Sequence, residues 1–317
     1  MYSSLPCYND SVNLLKLKYV LLAARPNQWV KNLVIFTSIL FAGQLFDKSL
    51  FLNTILGFLI FCLLSSTSYI LNDIIDYPFD RKHPLKKHRP IASGQLSIPD
   101  ATFVVFIMSL ASLILSLFFS IPFFLVALIF LLLHFFYSLY FKQKPILDIF
   151  AISFSFLLRA YAGSVISGYH IQIWLLLTIF FASLFIAAVK RHAEFVNQGK
   201  ETRSSLRQYR EALLLFLTNS FATLTITAYS LYTFLERPPL IQTQLSEVFS
   251  YFLPDFEARK WFMVTIPLVV YGIARYGQLL YARDQGEAPE KLITRDRPLM
   301  LTMFLWGIIV ISLIYFF

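Results

Sequence analysis

Asn72, Asp73, Asp76 and Asp80 stand at i, i+1, i+4 and i+8, so a helix would carry all four within roughly 100° of its circumference. Three carboxylates this close repel one another unless a cation joins them. Mg²⁺ is commonly held by one or two carboxylates, with water and substrate phosphates completing its shell. The residues that follow include Arg81, Lys86 and Arg89, cations suited to the same anionic ligand. The chemistry expected at 72–94 is therefore Mg²⁺-assisted handling of a phosphorylated donor. A solvated loop of mixed charge would account for the charges, but not for acids that start where an apolar run stops. Pro78 lacks a backbone donor and disfavours helical geometry at Tyr77, which leaves Asp80 on a helix or on a loop.

A second group, Lys190, Arg191, His192 and Glu194, closes another apolar run. Lys142, Lys144 and Asp148, and Asp296 with Arg297, lie at the ends of further runs on the same side. Singly they read as anchors of membrane segments; gathered beside the acids they read as an anion site. Arg159 differs. It lies about eleven residues into its run, roughly 16 Å along a helix, where a charge is costly and marks function, a structural ion pair or the cap of a broken helix. Asp148 and the acids of 72–80 are its expected partners. His83 and His88 sit among basic residues and suit phosphate better than metal, whereas His134 and His170 are isolated packing or interface residues. No histidine and cysteine spacing suits zinc, and no glycine-rich phosphate loop is present.

The elements that carry these charges are membrane helices. Of 317 residues, 57% are apolar and 14% charged, where a soluble domain carries about 25% charged residues. Apolar runs of membrane-crossing length predict an all-α integral membrane protein. Nine spans are expected, at about 32–46, 50–71, 101–120, 122–140, 147–167, 171–189, 212–234, 261–281 and 299–317. With the N-terminus inside, 22 lysines and arginines fall on the inner side and four on the outer. That bias makes the N-terminus and the charged cluster cytoplasmic and puts Phe317 outside. The net charge of +9 sits in short loops, so no nucleic-acid partner is expected. Residues 12–24 read as an interfacial helix with Trp29 at headgroup level, and no cleavable signal precedes them. The outer segment 235–260 is expected along the surface. Residues 1–317 read as one domain whose 1–31 segment is interfacial. Ala160, Gly163, Ser164 and Ser167 permit close packing within or between chains, which leaves the oligomeric state open. Cys7 and Cys62 are far apart and match no redox motif.

The chain resembles the UbiA superfamily of intramembrane prenyltransferases over nearly its whole length. The first Asp-rich motif of that superfamily, Asn-x-x-x-Asp-x-x-x-Asp, is met by Asn72, Asp76 and Asp80. Where ordinary members carry a second acidic motif, this chain has Lys190-Arg191-x-x-Glu194. That departure is similar to the decaprenyl-phosphate 5-phosphoribosyltransferase branch. So are Arg25-Pro26-x-Gln28-Trp29-x-Lys31-Asn32, the 72–94 stretch, Asp148, Leu158-Arg159-Ala160-x-Ala162-Gly163 and Asp296-Arg297-Pro298. The resemblance implies about nine helices around a central cavity, and transfer of phosphoribosyl from 5-phosphoribosyl-1-pyrophosphate to a polyprenyl phosphate. Asp73, Asp76 and Asp80, assisted by Asn72, would bind Mg²⁺–pyrophosphate. Arg81, Lys86 and Arg89 would meet donor phosphates. Lys31, Lys142, Asp148, Arg159, Lys190, Arg191 and Glu194 would line the remaining site, with the two basic clusters interchangeable between donor and acceptor. An aromatic prenyltransferase with an eroded second motif is the nearer alternative. A secondary transporter is the remote one, because transporters gather binding residues near the midplane.

Overall fold

A computed structural model describes residues 7–198, 208–236, 261–282 and 296–316. The side chains of 7–14, 197–198 and 280–282 lie outside the description. Among the described residues all regular structure is helical: α1 (Cys7–Ala24), α2 (Thr37–Phe41), α3 (Lys48–Asp80), α4 (Ile98–Phe119), α5 (Ile121–Leu139), α6 (Leu147–Ser167), α7 (Ile173–Gln198), α8 (Glu211–Leu235), α9 (Ile266–Ala282) and α10 (Arg297–Tyr315). Short 3₁₀ segments supplement them, the longest being Pro26–Phe36 before α2. Eight of these helices are long and apolar enough to cross a membrane. Most of the outer segment expected at 235–260 lies outside the described residues.

The first expected span, 32–46, is not one of the eight. In its place an eleven-residue 3₁₀ segment runs into the five residues of α2. A 3₁₀-helix rises about 2.0 Å per residue against 1.5 Å in an α-helix, so the pair reaches roughly 30 Å with few residues. Gly163 shows how closely the segment packs. A Cβ there would come 1.9 Å from the Ile35 carbonyl oxygen, so the segment and α6 touch backbone to backbone. The small residues of α6 thus serve packing within the chain. Ser38 and Ser167 share a hydrogen bond of 2.7 Å across the same seam.

Helix boundaries follow local chemistry. Asp47 caps α3 through Leu50 N, Ser97 caps α4, Ser120 caps α5 directly after α4 ends, and Asp296 caps α10. Pro99, Pro122 and Pro298 occupy first turns, where their missing donor costs nothing. Gly168 ends α6 at φ 73°. Helix α3 does not stop at its apolar run. Its 33 residues extend about 50 Å, beyond roughly 30 Å of hydrocarbon, and Pro78 lies inside it. Asp80 is its last residue and is buried, which removes the loop alternative.

Packing divides around α6. One face packs Ala162 with Phe61, Leu64, Phe123 and Phe130 of α3 and α5. The other packs Ile149 with Leu184, Val189, Leu217, Phe221 and Leu279 of α7, α8 and α9. At the end remote from the charged loops, the Tyr315 hydroxyl donates to the Leu40 carbonyl and accepts from Leu45 N, tying α10 to α2.

Candidate active site

The charged ends of α3, α5, α6, α7 and α8 meet at one end of the bundle. In the first cluster, Asp73 Oδ1 accepts from Arg25 at 2.5 Å and from Arg89 at 3.0 Å. Arg89 also donates to Asp80 at 2.6 Å, so one guanidinium joins two turns of α3. Asp76 accepts from Lys142 at 2.6 Å and from the Asn72 amide at 2.9 Å. Lys142 and Ser138 both donate to Asn72 Oδ1. The acids thus stand on one side of α3 as the spacing predicts, but each is joined to a base from another segment instead of to its neighbours.

The second cluster is built on Arg191, only 1% exposed. Its Nε donates to Asp148 at 2.6 Å, Nη1 to Glu194 at 2.6 Å and Nη2 to the Tyr137 hydroxyl at 3.2 Å. Asp148 also accepts from the hydroxyl of Tyr209 at 2.9 Å. Tyr137 and Ser138 are adjacent on the last turn of α5, and one reaches each cluster. The clusters are therefore two halves of one polar region flanking α5.

A model of the UbiA prenyltransferase family matches residues 32–308. The chain belongs to that family. Decaprenyl-phosphate phosphoribosyltransferases are similar along nearly all of it. That of Corynebacterium glutamicum is 30% identical over 304 residues, 92% of this chain and 86% of the relative. That of Mycolicibacterium smegmatis is 31% identical over 301 residues, 93% and 92% respectively. A UbiA homologue from Archaeoglobus fulgidus bound to DMAPP and Mg²⁺ shares the fold, with a TM-score of 0.69 at 18% identity, covering 93% of this chain and 98% of that one. As a UbiA protein the chain is a multi-pass membrane transferase, and the transporter alternative falls.

Other expected site residues of this UbiA protein have distinct settings. Arg81 is exposed and lies over its own Tyr77 ring at 5.6 Å, away from the acids. Lys31, Lys86 and Lys190 are half-buried. His83 accepts the backbone N–H groups of Leu85 and Lys86 on Nδ1, so it shapes the loop, and His88 is exposed. Burial, ahead of the nearby Lys86 charge, holds the His83 pKa below the usual histidine value. Asp296 pairs with Arg275 as well as capping α10. Arg297 is exposed.

The expected ion pair of Arg159 is not formed. Among the described residues no carboxylate lies within 4.0 Å of it; Asp148 turns to Arg191. Arg159 instead donates to Asn32 Oδ1 at 2.6 Å, to Ser155 O and Oγ at 2.9 Å each, and faces the rings of Phe130 and Phe156. Neutral oxygen dipoles and aromatic faces solvate the charge that no acid matches. Its role here is to moor Asn32, on the 3₁₀ segment, to α6.

The donor set fits a hard cation. Among the described residues, Asp73 Oδ2 and Asp80 Oδ1 accept no hydrogen bond from the protein, leaving carboxylate oxygens of the kind Mg²⁺ takes. Asp76 is less available, with both oxygens engaged, and the described side chains form no converged cluster of three metal-binding groups. Arg25, Ser138, Tyr137 and Tyr209 contribute to the site without having been singled out as site residues. Arg25 had a visible signal, its place at the head of the Arg25-Pro26-x-Gln28-Trp29 motif; its φ of 53°, a left-handed conformation unusual for a residue with a side chain, did not show in the sequence. The others are a serine and tyrosines, types common throughout the chain.

Proposed function

We propose that the chain transfers the 5-phosphoribosyl group of 5-phosphoribosyl-1-pyrophosphate to a decaprenyl-type polyprenyl phosphate, with Mg²⁺ and at the cytoplasmic face, releasing pyrophosphate. The observation that carries this reading is the inequality of the two halves. The first half has carboxylate oxygens open to a cation. In the second, both oxygens of Asp148 are engaged, by Arg191, Tyr209 and Ile149 N, and Glu194 is bound to Arg191. Among the described residues that leaves one guanidinium-bound carboxylate, which does not make the paired acidic site that two-sided chelation of a prenyl diphosphate uses. One half suited to metal–pyrophosphate, and one whose acids are held by Arg191 beside Lys190 and which calls for no metal, fit a phosphoribosyl donor and a lipid phosphate acceptor. Relatives with that activity in their names match more than nine-tenths of the chain.

In the reaction an acceptor phosphate oxygen forms a bond to ribose C1 as the bond from C1 to the pyrophosphate oxygen breaks, the electron pair leaving with pyrophosphate. Mg²⁺ held by Asp73 and Asp80 would offset the charge gathering on that leaving group. Arg89 and Arg25 fix the orientation of both carboxylates and, being about one-quarter exposed, can also meet phosphate oxygens. Lys142 and Asn72 hold Asp76. Arg191 keeps Glu194 at the rim of the second half, beside half-buried Lys190.

The test is incubation of purified protein with 5-phosphoribosyl-1-pyrophosphate, a polyprenyl phosphate and Mg²⁺, followed by mass spectrometry of the lipid and assay of pyrophosphate. A phosphoribosylated lipid that is lost with EDTA is expected. Consumption of a prenyl diphosphate with an aromatic acceptor, and no use of the ribosyl donor, would replace this reading with aromatic prenyl transfer.

A further inference from the structure

Just before Asp148 the backbone makes a turn that a β-branched residue rarely accepts. Ile146 has φ 69° and ψ −48°, and Leu147 N donates to the Pro145 carbonyl at 2.8 Å. That is a three-residue γ-turn with positive φ at its centre, a strained form. Such a conformation persists only where the surroundings over-determine it. Backbone bonds from Asp148 N to Lys144 O and from Phe150 N to Ile146 O brace it, and one side chain fastens it: the Tyr209 hydroxyl accepts from Ile146 N at 2.6 Å and donates to Asp148 Oδ1 at 2.9 Å. Tyr209 is 1% exposed and comes from the start of the α8 region, remote from α6 in sequence. Burial, reinforced by the Asp148 charge, pushes its phenol above the usual tyrosine range, so it keeps the proton that it donates.

We propose that Tyr209 is a positioning residue for the second half of the site. By pinning the strained Ile146 turn and Asp148 together, it sets Arg191 and through it Glu194, and so governs phosphate binding in that half alone. The chain of contacts is continuous: Tyr209 to Asp148, Asp148 to Arg191 Nε, Arg191 Nη1 to Glu194. No described hydrogen bond joins Tyr209 to Asp73, Asp76 or Asp80, so the first half should not sense it. The inference rests on the functional reading only in taking the second half as the acceptor-phosphate subsite.

The experiment measures binding and needs no turnover. Thermal-shift titrations of the purified full chain use polyprenyl phosphate alone and pyrophosphate with Mg²⁺ alone. Tyr209→Phe removes the hydroxyl and keeps the ring. It should weaken polyprenyl phosphate binding about tenfold or more, as expected for loss of a buried hydrogen bond to a charged group, and leave pyrophosphate binding within about twofold. A general packing loss would affect both ligands alike, and that result overturns the proposal, as does no effect on either. Glycine adopts positive φ without strain, so Ile146→Gly alone should bind both ligands like wild type, and Tyr209→Phe with Ile146→Gly should regain part of the lost affinity. A loss in Ile146→Gly alone overturns the proposal even where Tyr209→Phe fails to fold, as does an absence of rescue. Failure of the functional reading is seen separately, as wild-type protein that binds these ligands without forming ribosylated lipid.

Discussion

At the scale of single residues, the site is a set of exchanges between acids and bases from distant segments. Asp73 is 2% exposed yet faces two partly exposed guanidiniums. Removing a buried partner usually strands its counter-charge at a cost of about 3–5 kcal/mol. Arg25 and Arg89 can turn to water instead, so Asp73→Ala should fold, with a Tm within about 5 °C of wild type. Its turnover should fall by at least about a hundredfold if its carboxylate holds Mg²⁺. Calorimetric scanning beside the lipid product assay checks both halves of that expectation, and full activity would remove the metal-site argument. His83 supplies a pH dependence with a defined sign. Its folded pKa is depressed, so the unfolded chain binds the proton more readily, and stability falls as pH drops below the unfolded histidine value of about 6.5. Protonation of Nδ1 also forfeits the bonds from Leu85 and Lys86 N–H. The acid-side slope of Tm against pH should therefore be shallower in His83→Gln than in wild type; an identical slope would show that other groups cause it.

At the scale of elements, the 3₁₀ segment Pro26–Phe36 ties Arg25 of the site to the middle of the bundle. It begins directly after Arg25, packs on Gly163 and is moored by Arg159 through Asn32. Gly163→Ala would drive a methyl group into the Ile35 carbonyl, a backbone atom that cannot swing aside. It should lower stability by about 2 kcal/mol or more, the usual scale of overpacking, and lower activity by disturbing Arg25. A Tm unchanged from wild type would mean that the segment slides along α6 at little cost. The sequence predicts this span as an ordinary helix at 32–46, because hydropathy registers apolar residues and not their winding. Helix α3 errs in the opposite direction: the apolar run ends near residue 71, but the backbone hydrogen bonds continue to Asp80. That continuation is what carries the acids beyond the apolar layer.

At the scale of the molecule, ionisable groups collect at one end of the bundle while tyrosine, tryptophan and threonine hydroxyl and indole contacts tie the rest. We propose that the charged end faces the cytoplasm, as the positive-inside count predicts. Single cysteines at exposed Lys87 and Lys48, in a chain with Cys7 replaced by serine, give a direct test, since Cys62 is buried. A membrane-impermeant maleimide should label Lys87→Cys only after the cytoplasmic side is opened, and Lys48→Cys in intact cells. The reverse pattern would invert the topology and put the site outside.

Composition and run length by themselves determined the class of this protein, the eight long apolar helices found among its described residues, and the end at which its acids gather. Those properties are one-dimensional: hydrocarbon thickness sets run length, and helical period sets the common side of Asp73, Asp76 and Asp80. Tertiary structure alone decided the pairings. Arg25 meets Asp73 across 48 residues, Arg191 rather than Arg159 meets Asp148, and Arg159 meets Asn32 across 127. Which charge finds which depends on where helices cross, and on backbone turns such as Arg25 and Ile146 that propensity disfavours. Neither is written in the spacing of residues along a single segment.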